Sequence, residues 1–213
     1  MNENLKWLNT KKIERTMAAL ENNNMKAYYA KENAEVLEIV KEIAKEGEVV
    51  SVGGSMSLFE TDVIDLLRSG RYEFLDRYAE NLTPADMKDI YRKSFSADTY
   101  FSSANAITEN GEIFNVDGNG NRVAAILYGP DKVILIVGIN KIVKDVEEAV
   151  KRNKEISGPA NAKRLSTATP CAKVGHCMDC KSEDRICCEY TLIKRQRTAN
   201  RIHVIFVNES LGF

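Results

Sequence analysis

Val49-Val50-Ser51-Val52-Gly53-Gly54-Ser55-Met56-Ser57 decides how the rest of the chain is read. A β-branched run flows into two glycines and then into residues that open a helix. This is a strand, a tight turn and a helix start, the connection from which α/β sheets are built. Such a turn exposes backbone N–H groups at the positive end of a helix dipole. Ser55 and Ser57 add hydroxyl donors. The segment is neither a P-loop nor a complete G-x-G-x-x-G, so it specifies no nucleotide. Without a ligand, the glycines simply permit the turn.

On the N-terminal side, Leu5, Leu8, Ile13, Met17 and Leu20 fit one face of a helix that Asn22-Asn23-Asn24 ends. Residues 25–30 read as a strand. Val36, Ile39, Val40 and Ile43 mark a second helix, with Gly47 as its stop signal. On the C-terminal side one helix is expected over 58–67, a strand over 72–75, and a helix over 84–95 with Pro84 in its first turn. Short strands are expected at 99–101, 104–108 and 112–116, with Asn110-Gly111 as a type I′ hairpin turn. Val133 to Val137 is uninterrupted apolar sequence, as in a strand covered on both faces. A long helix through Ile142, Val146, Ala149 and Val150 follows, and residues 202–207 form a last strand. The expected fold is α/β, a mainly parallel sheet covered by helices, in a single domain over 1–213. Residues 159–190 are expected as a Cys-rich loop.

The 213 residues carry 30 basic and 31 acidic side chains, a net charge of −1. That balance argues against nucleic acid as a partner. Nine Lys and Arg against four Asp and Glu fall between 159 and 201, so this region is locally basic. It could attract an anionic ligand or an acidic partner. No apolar run approaches the ~20 residues that span a bilayer, and the N-terminus lacks a signal-peptide pattern. A cytoplasmic protein with reduced cysteines is expected.

The densest polar stretch is 102–122. It holds Asn105 and joins strand candidates to a loop with Asp117, Asn119, Asn121 and Arg122, and Gly118 and Gly120 lie between these. Small residues admit a ligand, amides orient it, and Arg122 could grip a carboxylate or phosphate bidentately. The alternative is a surface hairpin with Asx-turns.

All five cysteines lie between Cys171 and Cys188, spaced C-x5-C-x2-C-x6-C-C. Cys177 and Cys180 could chelate one metal, with Cys171 and Cys187, or Cys188 instead, completing four ligands. Thiolates favour zinc or an iron–sulfur cluster over hard cations. Redox-active thiols and inert structural cysteines are the other readings. Lys173, Lys181 and Arg185 would favour thiolates by lowering thiol pKa values. Trp7 is expected as a core or interface anchor, and His203 as a packed, hydrogen-bonded residue of the last strand.

The segments at 50–55, 103–111 and 116–122, with 132–143 after them, resemble proteins of the lactate-utilisation (LUD) domain family in order and spacing, over roughly residues 5 to 207. The cysteine stretch is similar to an insert in a subset of that family. The resemblance implies the fold shared by ribose-5-phosphate isomerase, glucosamine-6-phosphate deaminase and CoA-transferases. It also implies a link to lactate or other organic-acid oxidation beside iron–sulfur oxidoreductase subunits. Carried onto this sequence, a cleft for a small anionic ligand lies between Gly53-Gly54-Ser55 and Asn105, Glu109, Asp117, Gly118, Gly120, Asn121 and Arg122. Glu109 is then the candidate catalytic acid. Two other functions stay open: a stand-alone transferase or ligase acting on a phosphorylated or CoA-linked substrate, and a non-catalytic partner subunit of an iron–sulfur oxidoreductase. A homo-oligomer is compatible with either.

Overall fold

The computed structural model describes residues 2–213. In chain order the elements are α1 (Glu3–Asn22), β1 (Lys26–Ala30), α2 (Asn33–Ile43), β2 (Val49–Val52), α3 (Met56–Glu60), α4 (Val63–Arg68), β3 (Glu73–Leu75) and α5 (Pro84–Lys93). Then come β4 (Thr99–Ser102), β5 (Ala106–Thr108), β6 (Ile113–Asp117), α6 (Asn121–Tyr128), β7 (Lys132–Gly138) and β8 (Ile142–Val143). The chain closes with α7 (Val146–Arg152), α8 (Gly158–Arg164), α9 (Pro170–Val174), β9 (Glu189–Ile193) and β10 (Ile202–Val207).

Six strands form one parallel sheet in the order β1-β10-β7-β4-β2-β3. The side-chain period of two divides its central strands cleanly. Val133, Leu135 and Val137 of β7 join Val204 and Phe206 of β10 on one face, beneath Ile13 and Leu20 of α1 and Ile126 of α6. Ile134 and Ile136 join Ile205 and Val207 on the other, against Val36 and Val40 of α2 and Leu58, Ile64 and Leu67 of α3 and α4. All five residues from Val133 to Val137 have no exposed surface. Each contributes roughly 1.5–3 kcal/mol by leaving water. The expectation of a mainly parallel, helix-covered sheet holds for this reason: only an apolar strand can lie between two apolar layers.

A second sheet, β8-β5-β6-β9, mixes parallel and antiparallel pairs and lies over the first face. The sequence reading missed two of its strands. β8 is only two residues, and β9 alternates half-buried and exposed positions just after the cysteines, with only Ile193 buried.

Several local expectations are corrected. The helix expected over 58–67 is two short helices, because Asp62 adopts the left-handed conformation (φ 56°). The Asn110-Gly111 turn is not type I′, which needs positive φ at both central residues. Gly111 has φ 73° and Asn110 does not have positive φ. The N–H of Gly111 donates to Thr108 O and that of Thr108 to Glu112 O, a three-residue loop ending in a left-handed glycine. The segment beyond 159 is not wholly a loop: α7, a π turn at Asn153–Ser157 and α8 keep the chain helical to Arg164. Leu5, Trp7 and Leu8 are exposed, Trp7 by 59%, so Trp7 is no core anchor. His203 is packed as expected, its Nδ1 3.0 Å from the Tyr28 hydroxyl.

Candidate functional site

β2, β4 and β7 are side by side in the order β2-β4-β7, and each ends on a residue of interest. Gly53-Gly54-Ser55 follows β2, Ser103-Ala104-Asn105 follows β4, and Lys141 follows β7 through a single 3₁₀ turn. A cleft of about 230 Å³ opens beyond these carboxyl ends, where open α/β sheets bind ligands. Gly54, Ser55, Asn105, Asp117, Gly118, Asn121 and Arg122 all line it. The two segments singled out in the sequence therefore share one cavity. Gly53 and Gly120 stand behind the wall instead of on it. Gly53 is buried under Arg122, and Gly120 (φ 70°) sits at the N-cap of α6.

Arg122 is held from every side. Nη1 donates to Asn115 Oδ1 (2.7 Å) and Ser103 O (3.2 Å); Nη2 donates to Val116 O (2.8 Å) and Asn105 Oδ1 (3.0 Å). Nε lies 3.5 Å from Asp117 Oδ1. A guanidinium has five N–H groups, so this one has no free fork with which to clamp a ligand. Its part is to tie the loop 103–105 to β6. Asp117 Oδ2 accepts from the N–H groups of Arg122 (3.1 Å) and Val123 (3.3 Å), so the protein's own carboxylate satisfies the start of α6. The expected helix-dipole site at Gly53-Gly54 is weak as well, since α3 is five residues long.

The free positive charge in the cleft comes from residues outside the expected set. Arg77 lies beside Gly54, stacks on Tyr91 (4.9 Å) and donates from Nη2 to the Tyr91 hydroxyl, while its buried Nε has no partner. Arg164, at the end of α8, is exposed at the cleft, and its Nε and Nη2 donate to Asn161 Oδ1 (3.0 and 2.8 Å). Ser55 Oγ is buried and unpartnered.

Lys141 is the deepest of these cations, only 4% exposed. Its Nζ lies 2.9 Å from Ser57 Oγ and 3.0 Å from Ser103 Oγ. Burial first, then repulsion from Arg152 and Arg122, brings its pKa down to about 7, with Glu60 opposing. No sequence pattern marked it, because a lone lysine after an apolar strand has no periodicity to stand out from. A turn that ends a buried strand beside Gly-rich loops was the available signal.

Glu109 is elsewhere. It sits at the hairpin tip against α1, 3.2 Å from Arg15 and 3.7 Å from Lys12, and does not line the cleft. A carboxylate there cannot act as an acid on anything bound in the cleft.

The five cysteines are free thiols. Cys171 is in α9, its Sγ near Thr169 Oγ1 (3.4 Å); Cys177, Cys180 and Cys187 are half-buried, and Cys188 is exposed. Among the described residues no three His, Cys, Asp or Glu side chains gather as a metal-holding group. Burial raises the Cys187 pKa, with Cys177 and Cys180 adding to it and Arg185 opposing, the reverse of the expected lowering. The segment nevertheless abuts the cleft: Ile186 lines it, and the Cys188 N–H donates to Asp117 O (2.8 Å).

The family model of the LUD domain matches residues 13–207. The chain belongs to the LUD domain family. This LUD domain is also similar to the crystal structure of a DUF162 family protein from Deinococcus radiodurans, with a TM-score of 0.51 and 14% sequence identity, over 93% of this chain and 98% of that one. At that identity the likeness shows the fold alone, a mainly parallel α/β sheet covered by helices. No curated protein matches the LUD domain described here. Among the described residues, no helix is long and apolar enough to cross a membrane.

Proposed function

We propose that the cleft binds a small anion bearing a carboxylate or phosphate, and that the chain serves organic-acid metabolism in this role. One observation carries the reading. Four basic side chains, Arg77, Arg122, Lys141 and Arg164, line the cleft against a single acidic side chain, Asp117, which is already occupied by Arg122 and the start of α6. A concave wall with that imbalance raises the local concentration of anions. Arg77 and Arg164 are the groups left to hold one, since Arg122 is committed internally and Lys141 is buried with a depressed pKa. The unpartnered Arg77 Nε and Ser55 Oγ are unmet hydrogen-bonding demand on the same wall. Membership of the LUD domain family supports an organic acid such as lactate as the biological anion.

Calorimetric titration with inorganic phosphate and with lactate tests this. Saturable binding that weakens at least tenfold in Arg77→Met is expected, because a charge-assisted hydrogen bond to an anion is worth roughly 1.5–3 kcal/mol. Binding that is absent in the wild type, or unchanged in both Arg77→Met and Arg164→Met, would reject the cleft as an anion site.

A further inference from the structure

Three strand ends each place one group on a single polar chain that runs from beneath the cleft to its wall. Ser57 comes from the first turn after β2, Ser103 from the residue after β4, and Lys141 from the turn after β7. Lys141 Nζ stands between the two hydroxyls, 2.9 Å from Ser57 Oγ and 3.0 Å from Ser103 Oγ. The positions are unequal. Ser57 is fully buried and does not line the cleft, whereas Ser103 and Lys141 do. Gly212 closes the inner side, so close that a Cβ there would lie 3.1 Å from Ser57 Oγ and 3.4 Å from Lys141 Nζ.

No carboxylate among the described residues lies within ion-pair distance of this amine. Arg122 and Arg152 are the charges that act on it most, with Glu60 opposing them, and Arg77, Arg164 and Asp117 share the cleft wall. A buried lysine with cationic neighbours and no counter-ion loses its proton near neutrality, in line with its pKa of about 7. The neutral amine can donate an N–H to Ser57 and accept the proton of Ser103. That is a nucleophile hydrogen-bonded to a base that a third group orients, the arrangement of serine–lysine acyl-transfer sites. The carbonyl of Ser103 is fixed by Arg122 Nη1, which holds the nucleophile's backbone in place.

We propose that Ser103 is the nucleophile and Lys141 its general base in transfer of an acyl group from a small anionic acyl donor. This rests on the reading of the cleft as an anion site. As Ser103 Oγ bonds to the acyl carbon, its proton passes to Lys141 Nζ. The bond from that carbon to the leaving group breaks, and the leaving group departs with the electron pair and takes the proton from Nζ. Water then adds to the acyl carbon, giving one proton to Nζ; Ser103 Oγ leaves and recovers it. The net change is an acyl donor and water converted to a carboxylic acid and the protonated leaving group, with no oxidant or reductant.

Acetyl phosphate is the probe, being both acyl donor and anion. The whole chain is mixed with it at pH 6 to 9, quenched in acid, and mapped by peptide mass. An acetyl group is expected on Ser103, absent in Ser103→Ala and formed roughly a hundredfold more slowly in Lys141→Met. In the wild type its rate should rise through about pH 7 and level off, following Lys141. No acetyl group on Ser103, an equal rate in Lys141→Met, or a label on Lys141 in place of Ser103 would overturn the assignment. The wild-type result decides this even if a variant folds poorly. If phosphate binds while Ser103 stays unlabelled, the nucleophile fails and the anion site stands. If phosphate does not bind while neutral p-nitrophenyl acetate labels Ser103, the nucleophile stands and the anion site fails.

Discussion

Gly53 is the floor on which Arg122 lies: a Cβ at residue 53 would sit 2.7 Å from Arg122 Cγ and 2.9 Å from its Cδ. The first glycine after β2 makes room for an arginine stem from α6. The guanidinium beyond that stem gathers Ser103, Asn105, Asn115 and Val116 into one wall of the cleft. A contact between residues 69 positions apart thereby sets the place of Ser103, the residue that Lys141 touches.

Gly53→Ala should therefore destabilise the protein by roughly 1–3 kcal/mol through overpacking, because the added carbon also meets Ser102 Oγ at 2.8 Å. The midpoint of urea denaturation measures it. Gly54→Ala is the control: there a Cβ meets nothing nearer than Arg77 Nη1 at 3.6 Å, and stability should hold.

Arg122→Met leaves four oxygens without their donor in a region that is 8% exposed at Arg122 itself. A loss on the order of 3–5 kcal/mol is expected. Lysine should recover only part of it, since one ammonium has three N–H groups and no planar fork. Equilibrium unfolding of the two variants side by side is the measurement; equal losses would contradict the geometry.

Glu109→Gln should cost less than about 1 kcal/mol, as expected for partly exposed ion pairs with Lys12 and Arg15. Phosphate binding in calorimetry should be unaffected. A large loss of binding would restore Glu109 to the site.

Lys141 also predicts a dependence of stability on pH. Its folded pKa, about 7, lies below the ordinary lysine value of 10.5. Between those two values the unfolded chain holds the proton more tightly, so stability should rise as pH climbs from about 7 toward 10.5. Below pH 7 both states are protonated and the cost of the buried charge is fully present. Urea midpoints at pH 7, 8 and 9 should show this slope in the wild type and a smaller one in Lys141→Met, the difference removing other titrating groups.

Thiol reactivity should follow exposure along the cysteine segment. Cys188 is exposed, whereas Cys187 is packed beside Val116 and Phe114 in a small cluster under the second sheet, with its pKa raised by burial. Alkylation at pH 7.5, followed by peptide mass mapping, should modify Cys188 before Cys187. The opposite order would show that Arg185 outweighs burial.

By itself the sequence determined the layered fold. The apolar run 133–137, the β-branched strand before Gly53 and the amphipathic helices are local patterns, and burial on one or two faces imposes them directly. It also brought the Gly53 turn and the 103–122 segment to one cavity, because residues at the carboxyl ends of neighbouring parallel strands must face the same side. Only the tertiary structure decided what each side chain does there. Arg122 and Asp117 look like ligand groups in sequence but are consumed by partners that folding brings near. Glu109 is drawn to α1, which precedes it by about ninety residues. Arg77, Lys141 and Arg164 come from three separate elements and carry no shared motif. Charge, burial and hydrogen-bond saturation depend on neighbours in space, and those are what separate a structural arginine from a free one.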